Sequence, residues 1–341
     1  MKNLFFVILL SLSLTNPAKS ELDTSRWMEL LYSKYPEVRL RDIIIPGTHN
    51  SGTYNITKKS KIGPREQKYY KLAKKRVANW AKTQNHDINT QLKKGIRFID
   101  LRIQRDKETF VIVHGLISVT LESILEDLAK WALKRPKEIV LVELIPGLST
   151  RKDERDLHQL IQRFLGPLLT PPFLPPSQLT LQDIWAKKKS FLLFSTPSFS
   201  SLDKHYWNRN HSMVSLWANT TKKGDLLEKL LYGKEGTPGL YNQDNSKFYA
   251  SELTFTPNKN TIVRAIFKRN SPNSLFQLMK PLYQAPDEFL RIWKAQNLNI
   301  NIIKVDFYEK TNLVKSALNA NQETLTFLQV TSPKPLKKDR L

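Results

Sequence analysis

The 341-residue chain contains no cysteine. Disulfides, thiolate metal sites and a cysteine nucleophile are excluded together, so any chemistry must come from histidine, carboxylates, hydroxyls or basic groups. After the first 20 residues no stretch of 18 consecutive apolar residues occurs, so nothing there reads as a membrane-spanning helix. Acidic residues are in short supply: 31 Asp and Glu stand against 54 Lys and Arg, a formal net charge of +23. An excess of that size implies attraction to polyanions, whether nucleic acid, anionic lipid or acidic small molecules. RNP, helix-turn-helix and zinc-finger signatures are all missing and the lysines are spread along the chain, so no specific nucleic-acid partner is expected. There is no internal repeat either.

What is present begins with Met1, Lys2 and Asn3, an apolar stretch from Leu4 to Leu14, and the small residues Ala18 and Ser20. This is the pattern of a secretory signal peptide. The expected organisation is a signal peptide over 1–20, one catalytic domain over 21–325 and a basic tail over 326–341. The product is expected to be exported, secreted or periplasmic, and to act as a monomer that is soluble or peripheral to a membrane.

Short runs rich in Ile, Val, Leu and Phe, each bounded by turn or charged residues, predict strands at 42–46, 96–103, 110–114, 138–144, 190–195, 212–217, 261–267 and 300–307. Helices are predicted between them at 65–82, 87–94, 119–134, 153–164, 223–232 and 311–319. Continuously apolar strands suit a parallel sheet covered on both faces, and this alternation favours an α/β fold, a single-domain (β/α) TIM-like barrel, distorted or incomplete forms included.

In such a barrel the active site lies at the C-terminal ends of the strands, so polar residues that close apolar runs take priority. "IIIPGTHN" delivers His49 and Asn50. "GIRFIDLRI" carries Asp100 and Arg102 two residues apart, on one face of a strand. "TFVIVHG" ends in His114, and "NIIKVDFYE" places Asp306 at the end of a further run. Two imidazoles with a guanidinium and carboxylates suit phosphoryl transfer: one ring removes a proton, the other protonates the leaving oxygen, and the cation stabilises the charged intermediate state.

The segments "IPGTHNSGTY", "QLKKGIRFIDLRI", "FVIVHG", "KEIVLVEL" and "NIIKVDFYE" resemble the X domain of phosphatidylinositol-specific phospholipases C, most of all its small secreted bacterial members. The resemblance is anchored from about residue 39 to 150 and again from 298 to 310. It implies His49 as general base toward the inositol 2-hydroxyl, His114 as general acid toward the diacylglycerol oxygen, and Asp306 as the carboxylate orienting His49. Asp100, Arg102 and Asn50 complete the implied catalytic set. The implied partner is phosphatidylinositol or a related anionic lipid at a membrane surface.

Arg102 stands where the eukaryotic enzymes of the family supply carboxylates to calcium, so the resemblance implies a metal-independent enzyme. Asn50, where the metal-free bacterial type usually has an aspartate, supports the alternative of Ca²⁺ held through Asn50, Asp100 and Glu143. Glu143, Lys189 and Trp217 are candidates for substrate binding. The insert 58–82 interleaves Lys and Arg with Tyr69, Tyr70 and Trp80, which predicts an amphipathic lip on a lipid surface; its plain alternative is an ordinary barrel helix with solvated lysines. Two other functions compete: a metal-dependent glycerophosphodiesterase or phospholipase D-like barrel, and a non-catalytic binder of anionic lipid.

Overall fold

Residues 22–66, 74–232, 246–258, 260–262, 264, 271–296, 298 and 301–331 are described by the structure, a computed structural model. The apolar runs form ten strands among these residues: β1 Ile45–Thr48, β2 Phe98–Asp106, β3 Thr109–His114, β4 Leu116–Thr120, β5 Val140–Pro146, β6 Phe191–Ser195, β7 Tyr206–Asn208, β8 Met213–Trp217, β9 Phe248–Glu252 and β10 Ile302–Val305. Helices of six residues or more are α1 Trp27–Tyr32, α2 Lys74–Ala81, α3 Ile88–Lys93, α4 Leu121–Lys134, α5 Arg151–Leu165, α6 Leu181–Ala186, α7 Lys223–Tyr232, α8 Ala285–Ala295 and α9 Leu313–Thr331. The sheet runs β7-β6-β5-β2-β1-β10-β9-β8. Every neighbouring pair along this path is parallel. The described strands leave β7 and β8 unpaired with each other, so the curled sheet is an open TIM-like barrel.

Strand alternation separates two apolar layers. Ile99, Leu101 and Ile103 of β2, with Val140, Val142 and Leu144 of β5, point outward and pack under helices such as α4, which contributes Ile124, Leu125, Leu128 and Trp131. Their neighbours Phe98 and Leu141 point inward, beside Phe194, Phe248 and Ile302. Toward the C-terminal ends the inner positions turn polar: Phe98 is followed two residues on by Asp100 and four on by Arg102, and two residues on Leu141 is followed by Glu143, Ala250 by Glu252, and Ile302 by Lys304. A period of two thus stacks a hydrophobic floor beneath a charged chamber.

The opposite end is sealed by the chain's own first described residues. Arg97, fully buried, donates to Thr24 O at 3.2 Å, to Ser25 O at 3.1 Å and to Glu138 Oε2 from both Nη2 and Nε. Glu138 in turn accepts from the backbone N–H of Glu29 at 2.9 Å, which ties α1 to the barrel. At β1, a Cβ on Gly47 would lie 2.9 Å from Phe98 Cβ and 3.3 Å from Ile303 O. Only glycine lets β1 pack this closely between β2 and β10.

Several expectations need correction. Residues 260–262 are helical, so the strand predicted at 261–267 does not form there; its place in the sheet is taken by β9, whose small and polar residues "FYASE" break the apolar run that was sought. The strand at 110–114 is not a parallel barrel strand, because β3 pairs antiparallel with β2 and β4 antiparallel with β3. Helix α8 was not predicted. Helix α9 continues through the boundary drawn at 326, so residues 326–331 are part of the folded helix. Residues 1–21 and 332–341 lie outside the described residues.

Candidate active site

His49 follows the last residue of β1, and a locked turn aims its ring at the mouth. Thr48 Oγ1 contacts Ser51 Oγ and Gln91 Oε1, both at 2.7 Å, and the His49 N–H donates to Val305 O at 3.0 Å. Asn50 adopts the left-handed φ of 45° and donates its N–H to Asp100 Oδ2 at 3.3 Å. A short amide side chain tolerates that φ better than most. Asp306 leaves β10 through a similar left-handed residue, Phe307, whose N–H donates to Thr83 O at 2.7 Å.

His114 arrives by a different route. Strand β2 overshoots the barrel to Asp106, turns at Lys107, and returns as β3, with Asp106 opposite Thr109 and Ile103 opposite Ile112. Two residues further on, the return brings His114 back beside Arg102, and Gly115 at φ 71° takes the chain away into β4.

The rings of His49 and His114 face one another edge to face, with centroids 6.4 Å apart. His49 Nδ1 donates to Asp306 Oδ1 at 2.9 Å, and its Nε2 accepts from Asn50 Nδ2 at 3.0 Å and from Arg102 Nη2 at 3.2 Å. Because Arg102 can only donate, Nε2 carries the lone pair and Nδ1 the proton. Burial disfavours the imidazolium, but the Asp306 carboxylate outweighs it and holds the His49 pKa above its ordinary value. His114 Nδ1 donates to Ala81 O at 2.7 Å. Burial, followed by the charge of Arg102, pushes His114 down to about 4. The two imidazoles are therefore driven apart, one basic and one acidic, as paired proton-transfer groups often are.

These residues open into a cleft of about 620 Å³ lined by His49, His114, Arg102, Asp306, Glu143 and Glu252 among others. Its charged floor contains three residues that the sequence reading missed. Glu143 is bound by Arg209 through Nε and Oε1, and by Lys304 at 3.2 Å through Oε2. Lys304 also donates to Glu252 Oε1 at 2.8 Å. Lys304 could have been found, since it precedes Asp306 by two residues on the same strand face, as Asp100 precedes Arg102. Arg209 and Glu252 carried no such mark: one opens the four-residue helical turn Arg209–Ser212 and the other ends a strand without an apolar run.

The other predicted residues are distributed as follows. Asn50 contacts His49, while Asp100 sits behind the turn, accepts from the Asn50 N–H, and leaves Oδ1 buried without a hydrogen-bond partner among the described residues. Trp217, 55% exposed at the end of β8, forms part of the cleft lip and donates to Thr256 Oγ1 at 2.8 Å. Lys189 does not reach the cleft: it precedes β6, at the N-terminal end of that strand, and its ammonium donates to Pro167 O at 2.7 Å. A strand presents its chemistry at its other end, so the substrate-binding expectation for Lys189 is withdrawn. Trp80 is only 9% exposed and forms cleft wall, so it is no surface ring for lipid; the apolar side of α2 faces inward as a barrel helix does. Tyr69 and Tyr70 lie outside the described residues.

The three donors of the calcium alternative are not equivalent: both oxygens of Glu143 are taken by cationic side chains, whereas Asp100 Oδ1 and Asn50 Oδ1 are buried with no hydrogen-bond partner among the described residues. Among the described residues no group of three or more His, Asp or Glu is arranged to hold a metal ion. Nor is any described helix long and apolar enough to cross a membrane.

Comparison with known proteins agrees with this geometry. Residues 70–195 match the family model described as "Phosphatidylinositol-specific phospholipase C, X domain". PI-PLC X domain-containing protein 3 of Danio rerio is 25% identical over 321 residues, covering 90% of this chain and 96% of that protein. PI-PLC X domain-containing protein 2 of Mus musculus is 28% identical over 314 residues, covering 89% of each. Among solved structures, the phosphatidylinositol-specific phospholipase C from Listeria monocytogenes aligns with a TM-score of 0.59 at 19% identity, over 87% of this chain and 98% of that one. A mutant of the corresponding Staphylococcus aureus protein aligns with a TM-score of 0.62 at 17% identity, over 88% and 98%. At these identities the structural likeness shows the fold.

Proposed function

We propose that this chain, whose residues 70–195 match the phosphatidylinositol-specific phospholipase C X-domain model, cleaves the glycerol–phosphate bond of phosphatidylinositol or a closely related anionic lipid. The inositol 2-hydroxyl oxygen attacks phosphorus while His49 Nε2 takes its proton. The bond from phosphorus to the glycerol oxygen breaks, and His114 gives that oxygen a proton. The products are inositol 1,2-cyclic phosphate and diacylglycerol. Arg102, within 3.2 Å of the base, meets the non-bridging oxygens. Asp306 keeps the proton of His49 on Nδ1 and stabilises the imidazolium that forms.

The observation that carries this reading is the convergence of His49, His114 and Arg102 on one mouth, with ring centroids 6.4 Å apart. Arrival of the phosphate first requires Arg102 to turn from His49 to the anion, which frees the lone pair of the base. No metal ion takes part in this proposal: Arg102 supplies positive charge beside His49, and Lys304 is paired with Glu143 and Glu252. The exposed Trp217 on the lip supports peripheral contact with the bilayer surface, and the leader-like residues 1–20 support export.

The test is incubation of the protein with phosphatidylinositol vesicles, with and without EDTA, following cyclic inositol phosphate by phosphorus NMR. Turnover that persists in EDTA and disappears in His49→Ala and His114→Ala is expected. Turnover abolished by EDTA favours the metal-dependent phosphodiesterase alternative, and lipid binding without turnover favours the non-catalytic one.

A further inference from the structure

The helix that walls the cleft has a second cavity behind it. Val77, Trp80 and Ala81 of α2 line the cleft, whereas Ala78 and Asn79, with Lys82 just past the helix end, line a separate groove of about 260 Å³. A helical turn of about 100° per residue puts these two sets on opposite faces. Ile56, Ala78 and Phe307, all buried, make up the apolar part of the groove together with Phe276, and the exposed Lys58 and half-buried Lys82 bring two cations to it. No acidic residue lines the groove, and neither ammonium has a carboxylate partner among the described residues. An unneutralised cationic pair beside an apolar base matches a ligand with one anionic end and one hydrocarbon end.

The groove backs directly onto the supports of both imidazoles. Lys82 sits between Ala81, whose carbonyl accepts from His114 Nδ1 at 2.7 Å, and Thr83, whose Oγ1 lies 3.1 Å from both His49 O and Asn50 O. Phe307 follows Asp306, the partner of His49, and its N–H donates to Thr83 O at 2.7 Å. Size narrows the ligand: at roughly 30 Å³ for each water-sized group, the groove holds about nine such groups, which suits one short chain and excludes a diacyl lipid. We propose that this groove is an effector site for a single-chain, medium-length fatty carboxylate, with its anion on Lys58 and Lys82 and its tail on Phe276 and Phe307, and that occupancy fixes α2 and so the acceptor of His114. Against burial and Arg102, the hydrogen bond to Ala81 O favours the protonated ring, so a firmer α2 gives more of the acid form. Binding of the carboxylate is independent of the phosphatidylinositol reading; its effect on turnover rests on that reading.

The test is calorimetric titration of octanoate into the full chain, with nitrogen-15 NMR of the His114 imidazole on the same samples. The wild-type protein is expected to bind one octanoate and to shift the His114 resonances on saturation. Lys58→Gln/Lys82→Gln, which alters only surface ammoniums, is expected to fold normally, to bind about tenfold more weakly, the scale of one hydrogen bond to a charged group, and to lose the shift. Octanol and inorganic phosphate each carry half of the recognition chemistry and are expected to bind about tenfold more weakly than octanoate, for the same reason. With a soluble phosphatidylinositol analogue as substrate, saturating octanoate is expected to raise kcat about fivefold in the wild type, the low end of coupling between two sites, and to leave the double variant unchanged. Equal octanoate affinity in the double variant, or phosphate bound as tightly as octanoate, overturns the site. Binding that leaves the His114 resonances in place overturns the coupling. Octanoate binding with the His114 shift but no turnover of any inositol lipid refutes the enzyme reading alone, and turnover indifferent to octanoate refutes this inference alone.

Discussion

Binding of a phosphodiester is expected to convert His114 from a group that is neutral at physiological pH into one that is half protonated. In the free cleft, burial and Arg102 set its pKa to about 4. At pH 7 only about one molecule in a thousand then carries the proton a general acid needs. A phosphate monoanion seated on Arg102 reverses the second of those two influences. One unit charge at about 4 Å, in an effective dielectric of about 20, is worth about 4 kcal/mol. That corresponds to about 3 pKa units, which lifts His114 to about 7. The assay is nitrogen-15 NMR titration of the His114 imidazole, with the protein free and saturated with a non-hydrolysable phosphonate analogue of the lipid headgroup. The profile of kcat/KM, which reports the free protein, is expected to fall below about 4, where His49 and His114 are both protonated, and above the raised pKa of His49, where both are neutral. The acid limb of kcat, which reports the complex, moves upward with His114. A His114 resonance that still titrates near 4 in the complex, while turnover continues at pH 7, would refute the acid role assigned to it.

Two further outcomes follow from the same structure. Asp306→Asn removes the acceptor 2.9 Å from His49 Nδ1 and is expected to lower kcat on the order of 10³- to 10⁴-fold with little change in KM, as steady-state kinetics on a soluble substrate would show. Arg97→Ala breaks the buried pair with Glu138 at the sealed end of the barrel and leaves that carboxylate uncompensated, at a cost of roughly 3–5 kcal/mol in stability measured by urea unfolding. Its inositol affinity is expected to survive under native conditions, since the cleft lies at the other end.

The candidate site was legible to the extent that its residues close apolar runs. His49, His114 and Asp306 each end such a run, and Asp100 with Arg102 shows the two-residue spacing of one strand face. That spacing also marks Lys304 with Asp306, a sign present in "NIIKVDFYE" and passed over. Glu252 and Arg209 were hidden for a physical reason: β9 is short and carries "ASE" where an apolar run was sought, and Arg209 reaches Glu143 across 66 positions of sequence. Lys189 misled because lysine beside an apolar run says nothing about which end of the strand it occupies in a parallel barrel.

The sequence by itself determined the alternation of inward and outward positions and offered His49, His114 and Arg102 as candidates at or near the ends of apolar runs, because these depend on local periodicity and residue chemistry. Only the tertiary structure decided that β3 runs antiparallel and returns His114 to Arg102, that the barrel stays open between β7 and β8, and that one lysine satisfies two acids from different strands. Those outcomes depend on which segments pair across long stretches of chain and on the desolvation of charges brought together by that pairing, and neither quantity is written in any single stretch of residues.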